Sequence, residues 1–125
     1  MSTILVPVDF SEETPEVIEA AAMLARRNRS HLVLLHVAPD GRIGAEEAGE
    51  RLERLERYLR EEGIPVSTEI RRGEPAREIV ACGGALAADC IIIGRHDHAP
   101  AATGASGPVT CYVEQQAGRT VVAVP

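Results

Sequence analysis

The sequence predicts an α/β fold built on a parallel sheet with helices on both faces. Three observations lead there. Five short apolar runs rich in Val and Ile recur along the 125 residues. Four segments of helical periodicity lie between them, and none of the Asn-Gly or Asp-Gly pairs that mark tight hairpins joins two of the runs. Near-continuous apolar strands alternating with helices read as a sheet buried on both faces. Right-handed crossovers then make it doubly wound, so that ligands bind beyond the carboxyl ends of the strands, where strand order reverses.

TILVPV is the first strand and ends at Asp9. Thr14 is the expected N-cap of the first helix, with Pro15 at its first position and Val17, Ile18, Ala21, Leu24 and Ala25 on its apolar face. HLVLLHV, residues 31 to 37, is the second strand, and PDGRIG after it has turn chemistry. The second helix runs from Ala45 to Glu62, with Leu52, Leu55 and Leu59 on one stripe. Four Glu-to-Arg pairs at i, i+4 spacing (47–51, 50–54, 53–57 and 56–60) make its charge a solvated helix face, each pair contributing ~0.3 kcal/mol.

PVSTEIRR, residues 65 to 72, alternates as a strand with one wet face or at a sheet edge does. EPAREIVACGGALAA is the third helix, opened by Pro75 and carrying Gly83 and Gly84 near its middle, at about 1 kcal/mol each relative to Ala. DCIIIG is the fourth strand, GPVTCYVEQQAG a short fourth helix with Pro108 at its first position, and RTVVAV the fifth strand. If the first and fourth strands flank the reversal, Asp9 and Gly94 face one crevice.

Composition narrows the function. The length suits one domain, residues 1–125. Nineteen carboxylates stand against thirteen basic residues, all of them Arg. That balance argues against nucleic acid as a partner, and without lysine there is neither a P-loop amine nor a Schiff base. No stretch approaches the ~18 consecutive apolar residues of a membrane span, and MSTILVPVDF has no basic lead, so no membrane role and a cytoplasmic location are expected. Cys82, Cys90 and Cys111 are widely spaced among apolar or small residues and read as buried free thiols.

Five stretches in order, VPVDFSEE, LLHVAP, GEPAREIV, IIIGR and GPV, resemble the universal stress protein family over essentially the whole chain. The resemblance implies a Rossmann-like three-layer sandwich with strand order 3-2-1-4-5 and four helices. It also implies a homodimer, and a role in stress adaptation by binding or signalling without defined catalysis. One branch of that family binds ATP through G-x2-G-x9-G-[ST], with an Asp ending the first strand and a Val backbone contact ending the second; another branch lacks the pattern and does not bind ATP. Asp9, Val37, Gly94 and Gly107 match these positions, with Pro7 and Val109 beside them as further cofactor-binding positions.

Two departures weaken the match. Asp97 replaces the second glycine, putting a carboxylate where backbone should approach a polyanion. Pro108 replaces the Ser or Thr, which removes a hydroxyl and a backbone N–H at a helix N-terminus. TGASG, residues 103–107, still suits an anion-binding nest, and His96 and His98 flank Asp97, so ATP or another adenine nucleotide stays open as a cofactor. The alternatives for that loop are a polar surface segment and a metal site needing help from His36, another chain or solvent.

No G-x-S-x-G elbow supports Ser11 or Ser106 as a nucleophile, so the chain is not expected to be an enzyme and no catalytic or metal residue is assigned. VVAV, within residues 119–125, forms an uncharged terminal strand, expected to pair with its twin in a homodimer. A further protein partner is compatible with a signalling role.

Overall fold

The computed structural model describes residues 2–38, 44–95 and 107–125, except for the side chain of Ala45. The segment carrying His96, Asp97, His98 and Ser106 therefore lies outside the described residues. Nine elements follow in order: β1 Thr3–Pro7, α1 Thr14–Asn28, β2 His31–Ala38, α2 Ala45–Glu61, β3 Val66–Arg72, α3 Pro75–Ala85, β4 Cys90–Gly94, α4 Pro108–Gln116 and β5 Thr120–Val124. The strands form one sheet in the order β3-β2-β1-β4-β5, and every pairing is parallel.

The period of two along each strand divides the core. Ile4, Val6, Leu32, Leu34 and Ile92 meet Val17, Ile18, Ala21 and Ala22 of α1 and Leu52 and Leu59 of α2 on one face. Leu5, Val33, Leu35, Ile91 and Ile93 meet Ile79 and Cys82 of α3 and Val113 of α4 on the other. Central strands have no wet face, which is why they read as continuous apolar runs.

Two of the four expected Glu-to-Arg pairs on α2 close, Glu47–Arg51 at 2.9 Å and Glu56–Arg60 at 3.0 Å. Cys82 and Cys90 are buried and Cys111 is partly buried, all as free thiols. Among the described residues no helix is long and apolar enough to cross a membrane.

One expectation at a helix start is overturned. The N-cap of α1 is Glu13, and Thr14 is already inside the helix, with no side-chain cap. Ser11 takes over part of the capping work, since its hydroxyl accepts the Glu13 N–H at 3.3 Å and its carbonyl accepts the Thr14 N–H at 3.1 Å. Thr14 Oγ1 is left buried, with no hydrogen-bond partner among the described residues.

Candidate functional site at the carboxyl ends of β1 and β4

Strand order reverses between β1 and β4, and there the sheet opens. The β1–β4 register covers only Ile4 with Cys90 and Leu5 with Ile91, whereas β4 pairs with β5 as far as Gly94. Pro7 has no N–H to give, a deficit that a strand tolerates where its ladder has ended. On the other side β1 continues one step further through Val8 N–H to Leu35 O at 2.8 Å.

The resulting crevice, too narrow to admit a water molecule, is lined by Pro7, Val8, Asp9, Ser11, Glu13, Thr14, Val17 and Gly94. Pro7, Asp9 and Gly94 therefore line one crevice. Asp9 Oδ1 accepts the Ser11 N–H at 3.0 Å, an Asx-type turn that carries the chain from β1 towards α1. Phe10, between them, takes a left-handed backbone at φ 60°. Its ring lies 4.7 Å from that of His36 and is overlain by the Arg51 guanidinium at 5.4 Å.

Gly94 is pressed from the α1 side. A Cβ on it would stand 2.7 Å from Glu13 Oε1 and 3.4 Å from Val17 Cγ2. From the other side, Thr110 Oγ1 donates to Gly94 O at 2.7 Å, with Thr110 fully buried. Gly107, the N-cap of α4, donates its N–H to Arg95 O at 2.8 Å and accepts the Cys111 N–H at 2.9 Å. Pro108 then opens α4 without a backbone donor.

Val37 and Val109 lie elsewhere. Val37 is buried in the core beneath α3 and α4, and Val109 packs against the same cluster from the first turn of α4. Their side chains belong to that packing, so any part they take in a site is through backbone atoms.

His36 is committed to the fold. It is 3% exposed on β2, its Nδ1 lies 2.9 Å from Val8 O, and Nε2 has no partner among the described residues. The contact assigns the proton to Nδ1, which donates to the carbonyl. Among the described residues no group of three or more His, Cys, Asp or Glu side chains is arranged to hold a metal ion.

A larger cleft of about 870 Å³ runs between α1 and α2, walled by Phe10, Ile18 and Leu55. Much of its polar lining is internally paired, Tyr58 Oη donating to Glu19 at 2.5 Å and Arg51 bridging to Glu47 at 2.9 Å.

The profile of the Universal stress protein family matches residues 1–125. The chain belongs to that family. None of the curated proteins matches it. Among solved structures, a universal stress protein from Archaeoglobus fulgidus is 27% identical with a TM-score of 0.84, the match covering 100% of this chain and 99% of that one. A universal stress protein from the same organism in complex with dAMP is 26% identical, TM-score 0.81, over 100% and 98% of the two chains. Universal stress protein UspA from Lactobacillus plantarum shares the fold at 22% identity, TM-score 0.86, over 99% and 97%.

Three site residues escaped the sequence reading: Glu13, Thr14 as a crevice residue, and Thr110. All three sit in the first turn of a helix or at its cap, where a one-residue shift in the helix start changes which side chain faces the crevice. The sequence carried one usable signal, an acidic residue directly before the first turn of α1.

Proposed function

We propose that this universal stress protein is a regulatory binding protein of the stress response whose crevice has diverged from ordinary ATP binding. One observation carries the reading. The helix that follows the phosphate-type loop starts at Pro108, and the only hydroxyl in its first turn, Thr110, is turned inward onto Gly94 O at 2.7 Å. The position that should offer a hydroxyl and an N–H to a phosphate offers neither, and its nearest substitute is already engaged. Asp97 adds a carboxylate in place of the second glycine.

The chain acts by binding without turnover, in the cytoplasm, as a homodimer joined through residues 119–125. A second reading, an adenine nucleotide held through Asp9, Val37, Gly94 and Gly107, is supported by the crevice shared by Asp9 and Gly94 and by the relative whose structure is in complex with dAMP.

Isothermal titration with ATP, ADP and AMP, with and without Mg²⁺, separates the two. The expected result is weak or no ATP binding by wild type and micromolar binding by an Asp97→Gly, Pro108→Ser double variant. Micromolar ATP binding by wild type would overturn the first reading in favour of the second.

A further inference from the structure

We propose that the cleft between α1 and α2 binds a free amino acid with a large apolar side chain, the side chain lying on the cleft floor and the ammonium and carboxylate meeting Glu50 and Arg54 at its rim. The inference is independent of both readings above, since it concerns the outer face of α1 and α2 and not the β1–β4 crevice.

The cleft is shaped by the chain itself. One stripe of α2, stepping by three or four residues from Glu47 through Arg51 and Leu55 to Tyr58, faces Pro15 and Ile18 of α1 across a space of about 870 Å³. Unlike the crevice, that space admits solvent, and its size suits a small molecule. Tyr58 Oη donates to Glu19 at 2.5 Å and Arg26 donates to Glu62 at 2.6 Å, so the helices are tied to each other towards their carboxyl ends. Towards their amino ends Phe10 forms a wall. Its ring lies 4.7 Å from that of buried His36 and 5.4 Å from the Arg51 guanidinium, which Glu47 holds at 2.9 Å. Phe10, Pro15, Ile18 and Leu55 together offer an apolar surface to whatever enters.

Charge then narrows the ligand. Glu19, Glu47 and Arg51 are engaged by the contacts just given, whereas Glu50 and Arg54 make no hydrogen bond or ion pair among the described residues. These two are of opposite sign and stand about one turn apart on α2. A simple anion drawn to Arg54 would lie close to Glu50, and a simple cation drawn to Glu50 would lie close to Arg54. A zwitterion answers both at once, and an apolar side chain on the same molecule takes the floor. A polyphosphate would face three carboxylates here, so the cleft is no extension of a nucleotide site.

The test is a chemical-shift titration of the full chain with phenylalanine and three relatives: phenethylamine, which lacks the carboxylate, hydrocinnamate, which lacks the ammonium, and phenethyl alcohol, which lacks both. Phenylalanine should move the amides of Ile18 and Leu55 with a Kd of about 1 mM, the scale for about a dozen ligand atoms in an open site. Each relative should bind about threefold or more weaker, as expected for losing a solvent-exposed charge contact. Glu50→Gln should weaken phenylalanine and phenethylamine by about threefold without weakening hydrocinnamate, and Arg54→Gln should weaken phenylalanine and hydrocinnamate without weakening phenethylamine. Both positions are exposed, so neither change disturbs the core. Glu53→Gln and Arg57→Gln remove the same charges from α2 outside the cleft lining and should leave all four ligands unchanged. Phenethyl alcohol binding as tightly as phenylalanine would overturn the proposal, because the floor alone would then decide. So would rim variants that affect every ligand alike, control variants that match them, or amides at Ile18 and Leu55 that stay still at phenylalanine concentrations well above the expected Kd.

Discussion

The two edges of the sheet solve the same problem in opposite ways. β3 carries Glu69, Arg71 and Arg72, and two of these are tied into ion pairs: Arg71 reaches Glu69 at 3.0 Å and Glu78 of α3 at 3.6 Å. β5 has no charged side chain between Thr120 and Val124, and Val122 is 40% exposed on it. The nearest charge, Arg119, is folded back, its Nη1 donating to Ala88 O at 2.6 Å. Part-exposed ion pairs contribute at most ~1 kcal/mol each, so those on β3 matter more as a guard against strand addition than for stability. The difference teaches that, among the described residues, β5 is the edge without charged guards, and a second copy of β5 is its proposed partner.

The largest effect expected from this contrast is a change of assembly. Val122→Arg should convert dimer to monomer in sedimentation, while Ile70→Arg, a matching change at a position 37% exposed on β3, should leave the dimer intact. A wild-type monomer, or a dimer that survives the first change and dissociates with the second, would remove β5 as the interface.

The guarded edge also conceals a pH-dependent term. Cys82 of α3 is fully buried, with its Sγ 3.5 Å from Glu69 Oε2. Burial first, and then the Glu69 carboxylate, push its thiol from 9.0 up to about 11. The folded thiol stays protonated where the unfolded one ionises. Stability from this source is therefore complete below pH 9 and is lost as pH rises towards 11, by up to about 2–3 kcal/mol. Urea unfolding at pH 8, 9.5 and 10.5 should show wild type losing stability more steeply than Cys82→Ala. Parallel losses in the two proteins would mean that Cys82 contributes nothing to the alkaline slope. The uncharged edge offers no counterpart, since no titrating side chain lies on β5.

Much of this architecture was legible in the sequence because buried strands and amphipathic helices have different periods. HLVLLHV became β2, CIIIG became β4, and the charged stripe around Leu52 and Leu59 became α2. Strand order came from the family resemblance, since periodicity alone says only that the sheet is parallel. The crevice was half legible. Asp9 and Gly94 followed from their places at strand ends. Glu13 and Thr110 did not, because their importance depends on how α1 and α4 close on Gly94 from two sides. The same limit hid the orphan hydroxyl of Thr14, which sequence logic had assigned to capping.

The smallest effect separates two adjacent glycines, and it returns to the anchoring of β5. Gly83 is buried, and a Cβ there would lie 3.2 Å from Ile91 Cδ1 and 3.5 Å from Arg119 Cδ, the residue that leads into β5. Gly84 is exposed with nothing within 4 Å of its Cβ position. Both lie in α3, where alanine is preferred over glycine by up to about 1 kcal/mol. Gly84→Ala should collect most of that gain, about 0.5 kcal/mol or more in thermal or urea unfolding. Gly83→Ala should lose its share to crowding against a core isoleucine and the folded-back arginine, leaving it at least about 0.5 kcal/mol less stable than Gly84→Ala. Equal gains at the two positions would show that Arg119 yields freely. The inward fold of that charge would then be incidental to the bare edge it leaves behind.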